Sequence, residues 1–137
     1  MVNFKYKEVI KSETARRLNI DNNVPNELFD NMMNSTVGIQ RVRDLLKIPM
    51  RINSWYRSPE LNNKVGGAIK SAHLKCLAVD FVPIRMNINE AYELISKSDI
   101  QFDQLILERN SAGSVWIHIS WSNKNRRQIF KLEKREK

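Results

Sequence analysis

Two short stretches constrain this chain most, because each repeats large apolar residues at every second position and carries a polar side chain on the alternate face. In Val115-Trp116-Ile117-His118-Ile119-Ser120-Trp121, Val115, Ile117, Ile119 and Trp121 fall on one face, and Trp116, His118 and Ser120 on the other. In Cys76 to Val82, Leu77, Val79 and Phe81 share a face opposite Ala78, Asp80 and Val82. Period two of this kind requires a sheet with one face packed on a core. Each strand then carries one ionisable side chain on its other face.

The rest of the chain supplies the cover for such a sheet. Ser12 is an N-cap for a helix over Glu13–Leu18. Ile20 to Pro25 reads as a turn, and a longer helix runs from about Pro25 to Lys47, with Leu28, Met32, Ile39, Val42 and Leu46 at helical spacing. The Met32-Met33 pair is expected to fill the core. Met50–Ser54 is a short strand, and Ser58-Pro59 starts a helix to Lys64 that stops at Gly66-Gly67. After Pro83, Asn87 or Asn89 caps a helix through Tyr92, Leu94 and Ile95. Asp103–Glu108 and Val115–Trp121 are paired strands joined by a loop over 109–114. Helices first and paired strands later predict one α+β domain over residues 1–137, with N-terminal helices packed on a small antiparallel sheet and a solvated basic tail from about residue 124.

The chain has 137 residues and a formal net charge of +8, which favours anionic partners: nucleic acid, lipid headgroups or an acidic cell-wall polymer. A single cysteine excludes an internal disulfide scaffold. The N-terminal residues lack the apolar core of a signal peptide, and no apolar run reaches membrane-spanning length. Synthesis and folding in a cytoplasm are therefore expected, with no transmembrane segment and a monomeric state.

The only two histidines are His73, in Ser71-Ala72-His73, and His118. Two imidazoles and a carboxylate on rigid elements make the ligand set of an open zinc site, in which water takes the fourth position. Asp80 beside apolar residues is costly unless it is paired or binds a metal. Spacing alone leaves two readings open: a metal site, or Asp80 paired with Arg57 or Lys75 and His118 in an ordinary hydrogen bond.

The ordered set Tyr56-Arg57-Ser58-Pro59-Glu60-Leu61-Asn62, Val65-Gly66-Gly67, Ser71-Ala72-His73, Asp80 and Trp116-Ile117-His118-Ile119-Ser120 resembles the zinc D-alanyl-D-alanine carboxypeptidase and L-alanyl-D-glutamate endopeptidase family, the LAS peptidases. It is most similar to their compact branch in phage lysis and virion proteins, and the resemblance spans about Ser12 to Trp121. It implies a hedgehog/D,D-peptidase-like fold, Zn2+ held by His73, Asp80 and His118, and substrate binding by Arg57, whose guanidinium can also stabilise developing charge. Ser71 steadies a substrate oxygen or the His73 loop. The family's general base, a Glu three residues or a His two residues before the last ligand, is missing, since Val115 and Trp116 stand there. Pairing of Gln104 with His118 would put Gln104, Ile106 and Glu108 on the ligand face, making Glu108 the base and Gln104 an orienting group; Asp103 is a separate, weaker candidate base. Trp116 joins the substrate-binding set. Cys76 replaces the family's usual glycine; it is read as a buried thiol rather than a ligand, and a positive φ there would be awkward for it.

The expected function is a zinc peptidase hydrolysing peptidoglycan stem peptides or cross-links. It would be made in a bacterial host cytoplasm and act on the wall after release, or be virion-associated. The alternative is a catalytically weakened wall-binding or virion module of the same fold. A nucleic-acid-binding domain, suggested by charge and by Trp55-Tyr56 near Arg57, has no recognition motif behind it, so no nucleic-acid partner is expected.

Overall fold

The computed structural model describes residues 3–134; Met1, Val2 and the last residues of the basic tail, Arg135-Glu136-Lys137, lie outside the described residues. Two short helices, α1 (Tyr6–Ile10) and α2 (Glu13–Leu18), precede the long α3 (Phe29–Leu46), which a 3-10 turn over Asn26–Leu28 introduces. Next come β1 (Met50–Ser54), α4 (Pro59–Lys64), a 3-10 turn over Ala72–Lys75, β2 (Ala78–Pro83) and α5 (Ile88–Ser96). Strands β3 (Gln104–Asn110), β4 (Val115–Ser120) and β5 (Gln128–Lys134) complete the chain. None of the described helices is long and apolar enough to cross a membrane. Caps act as their chemistry dictates: the hydroxyls of Ser12 and Ser58 and the Asn87 carboxamide accept first-turn N–H groups of α2, α4 and α5. Helix α1 lacks a periodic signal and escaped the sequence reading; Val9, fully buried, fastens it, and its carbonyl accepts from Tyr56 N.

The sheet order is β1-β2-β4-β3-β5. The first four strands pair antiparallel, but β5 runs parallel to β3, so the sheet is mixed where an antiparallel one was expected. The reason is topological. Both edges of β4 are taken, by β2 and β3, so the chain leaving β4 must cross the end of β3 to reach a free edge. Part of the expected solvated tail is thus a strand, although the side chains of residues 128–133 remain exposed.

Helices α3 and α5 cover one face of the sheet. Ile39, Val42 and Leu46 of α3 and Ala91 and Ile95 of α5 share a core with Val79, Phe81, Leu105, Ile117 and Ile119. Each fully buried aliphatic side chain contributes about 1.5–3 kcal/mol. Met32 packs against this core as expected, whereas Met33 is half exposed, because it points away one position round the helix. Trp121 lies so close on α3 that a Cβ at Gly38 would stand 2.2 Å from its ring.

Candidate metal centre

The face of the sheet opposite the helices carries a row of side chains in register: Ser54, Asp80, His118, Ile106 and Phe130, one from each strand in spatial order. A bulge in β1 between Ile52 and Ser54 shifts that strand so that Ser54 lines up with Asp80. Asp80 and His118 are direct cross-strand partners, and His118 Nδ1 lies 2.8 Å from Asp80 Oδ1.

His73 arrives from outside the sheet, on the 3-10 turn that Ser71 caps by accepting His73 N–H at 3.2 Å. The imidazole is buried, and its Nδ1 donates to the Trp55 carbonyl oxygen at 2.6 Å. A carbonyl only accepts, so the Nδ1 proton is assigned, and Nε2 is the ring nitrogen turned inward, where it can ligate a metal. Nε2 has no hydrogen-bond partner among the described residues and stands 3.2 Å from Asp80 Oδ2. A buried imidazole nitrogen and a carboxylate oxygen this close share either a proton or a cation, and a bound metal ion is the form that uses both as ligands. His73, Asp80 and His118 each offer a donor atom, all within 4.8 Å of one another. These residues fit a divalent metal, and two imidazole nitrogens with one carboxylate oxygen suit zinc's borderline softness. Burial pushes the Asp80 carboxyl up, but the two imidazoles facing it more than reverse this and hold it well below the usual carboxylate range.

Arg57 stands beside this group with Nη2 3.7 Å from Asp80 Oδ2. Its Nε donates to Ser54 Oγ at 3.1 Å, its Nη1 to Asn62 Oδ1 at 3.0 Å, and its backbone N–H to the His73 carbonyl. Burial lowers its pKa, with Asp80 and Glu108 opposing that. Asn62 also donates to the Ala68 carbonyl, and Asn22 donates to the Tyr56 carbonyl while accepting Ser58 N–H. Both asparagines are buried; neither was given a role from the sequence, although Asn62 closes the motif that begins at Tyr56, while nothing in the sequence distinguishes Asn22 from a surface amide. Gly67 lets this packing happen: a Cβ there would meet Asn62 Oδ1 at 2.0 Å and Arg57 Nη1 at 2.6 Å.

The β3–β4 register corrects one expectation. Ile106, not Gln104, lies opposite His118; Gln104 pairs with Ser120 and Glu108 with Trp116. A shift of two residues preserves the face, so Glu108 still looks toward the site. It is buried, and its Oε1 lies 3.9 Å from His118 Nδ1. Gln104 Nε2 donates to Gln128 Oε1 at 2.9 Å. Asp103 is taken up by Arg126, leaving it no freedom to act as a base. Cys76 lies outside the strand with φ of 58°, fully buried in the core, and is not part of the ligand group. Burial pushes its thiol up to about 12, against a weaker pull from Ser35.

Two hollows meet at Arg57, Gly66 and Gly67. One, of about 440 Å³, is lined by Ser71, His73, Gln104, Glu108 and His118. The other, of about 610 Å³, is lined by Ser12, Glu13, Tyr56, Asn110 and Trp116. Trp116 Nε1 is buried and has no hydrogen-bond partner among the described residues. A family model described as Peptidase M15 matches residues 2–120. No curated protein matches the chain.

Proposed function

The chain belongs to the peptidase M15 family, and on that premise we propose that it is a zinc-dependent peptidase hydrolysing amide bonds in the stem peptides or cross-links of bacterial peptidoglycan. The observation that carries the reading is the buried Nε2 of His73 turned toward Asp80, with His118 closing the set. An ion held there supplies Lewis acidity, which acidifies water and polarises an amide carbonyl. Arg57, pinned by Ser54 and Asn62, presents its charge to the carbonyl oxygen on which negative charge develops. Glu108 takes the proton from the attacking water at a carboxylate oxygen and delivers it to the departing amine as the C–N bond breaks. Ser71 keeps the His73 turn in place, Gln104 orients the β3 side of the cleft, and Trp116 gives the neighbouring hollow part of its wall.

The hollows on both sides of Arg57 suit a peptide that continues past the scissile bond in both directions, which favours endopeptidase action. The net charge of +8 suits an anionic envelope. We place the enzyme in phage lysis or in a virion, acting on the wall after release from the host cytoplasm.

The test is metal analysis of the purified protein, followed by mass spectrometry of digested peptidoglycan with and without chelator. One bound zinc and chelator-sensitive release of new amino groups are expected. Equal digestion by wild type and His118→Ala would refute the proposal. A second reading, a wall-binding module without catalysis, is favoured by Cys76 in the left-handed region and by Val115 and Trp116 where the family carries its base. It predicts wall pull-down with no new amino groups.

A further inference from the structure

The turn and strand that follow residue 120 lie beyond the family match, yet they bring a charged side chain, Arg126, to the cleft that holds His73 and His118. Its Nε and Nη2 donate to Asp103 Oδ1 and Oδ2, each at 2.9 Å, and its backbone N–H donates to Oδ1 at 3.1 Å. Asp103 is buried, so the guanidinium is gripped from the protein side while the Arg126 side chain stays 51% exposed. No described residue takes up Nη1.

The turn holds Arg126 rigidly. It stands between two residues in the left-handed region, Asn125 (φ 43°) and Arg127 (φ 53°), neither of them glycine. Such conformations persist only where surrounding contacts enforce them, and they concentrate at functional positions. Those contacts are present. Asn125 Oδ1 accepts Ser122 N–H, and Arg127 donates to the Ile100 and Ser98 carbonyls with its guanidinium 4.4 Å from the Phe102 ring centre.

Arg57, Lys70 and Arg126 line the cleft with Asp103 and Glu108; Asp80 lies beside Arg57 and Asp103 grips Arg126, so an anion entering the cleft meets Lys70 and the Nη1 of Arg126. Asp103 N–H donates to the Ser120 carbonyl, which sets the Arg126 pair level with Ser120, two residues along β4 from His118. At about 3.4 Å per extended residue, that is about 7 Å from the metal ligand. Phe130, 38% exposed and in register with Ile106, offers an apolar shelf beside it.

We propose that Arg126, with Lys70 in the same cleft, forms a subsite for a carboxylate of the peptide substrate about two residues from the scissile amide. The proposal rests on the peptidase reading and names the substrate feature that this chain's β5 extension recognises. The test titrates the zinc-supplemented protein with two synthetic stem tetrapeptides, one with free carboxylates and one with them amidated, and follows cleavage by mass spectrometry. Wild type is expected to bind the carboxylate form about tenfold more tightly. Arg126→Gln is expected to bind both forms alike, and Arg126→Lys to recover part of the preference. Equal binding of the two forms by wild type, or an undiminished preference in Arg126→Gln, overturns the proposal and leaves Arg126 as a staple of the turn. If Arg126→Gln does not fold, Lys70→Gln carries the same comparison at an exposed loop position, and a preference unchanged from wild type overturns the subsite. A wild type that keeps the preference but cleaves neither peptide refutes the hydrolase and supports the subsite.

Discussion

Two neighbouring glycines separate strain from catalysis. In Gly67→Ala the new methyl would begin 2.0 Å from Asn62 Oδ1 and 2.6 Å from Arg57 Nη1. Real Cβ atoms essentially never come within 3.0 Å of such an atom and ordinary contact begins near 3.4 Å, so the Asn62 carboxamide must withdraw by at least about 1 Å. Asn62 is buried, holds Arg57 Nη1 at 3.0 Å and is itself tied to the Ala68 carbonyl, so it cannot move without releasing the guanidinium. A misplacement of about 1 Å in a positioning group costs on the order of 10²-fold in rate. The overpacking itself costs about 1–3 kcal/mol of stability. Gly66→Ala is the matched control: nothing lies within 4 Å of its Cβ, but its φ is +70°, so the loss is conformational, about 1–2 kcal/mol, and spares Arg57. The assay is release of amino groups from purified peptidoglycan, with zinc content and thermal unfolding measured on the same samples. Gly67→Ala is expected to lose about 10²-fold in kcat/KM with zinc retained, and Gly66→Ala to lose melting temperature with kcat/KM within about threefold of wild type. Wild-type kcat/KM in Gly67→Ala, or equal losses in both variants, would refute the claim that Asn62 positions Arg57.

Glu108→Gln, an isosteric change, is expected to lower kcat by about 10²–10⁴-fold while zinc stays bound; near-normal turnover would remove Glu108 as the base. The Arg126 guanidinium, opposed by partial burial, holds the Asp103 carboxyl down at about 2. Its stabilisation is therefore fully present above the unfolded value near 3.8 and is lost as pH falls through about 2. Asp103→Asn should cost about 1 kcal/mol at pH 7, discounted for solvent screening, and only a small part of that at pH 2, where the carboxyl is half protonated; a pH-independent difference in unfolding free energy would contradict the ion pair. Cys76, protonated and fully buried, should resist alkylation at pH 8 in the folded protein and react on unfolding, whereas rapid labelling of the native protein would place the thiol at the surface.

What was legible in the sequence was local. The hydroxyls of Ser12 and Ser58 mark helix starts because a cap satisfies N–H groups within three residues of itself. Period two placed Asp80, His118 and Glu108 on the face away from the core, and that assignment survived a register wrong by two residues because parity is a property of each strand alone. The Met32-Met33 pair shows the limit: adjacent residues on a helix point about 100° apart, so only one reaches the core.

The tertiary structure decided what depends on competition between distant segments. The occupied edges of β4 forced β5 parallel onto β3 and carried Arg126 to the cleft. The Trp55 carbonyl chose the proton-bearing nitrogen of His73, and Asn62 and Ser54 chose the direction of Arg57. No local pattern encodes these choices, because each is made by a partner that only the folded backbone brings within hydrogen-bonding distance. Composition and period determine which faces are buried; only closure of the sheet determines which buried polar atoms meet.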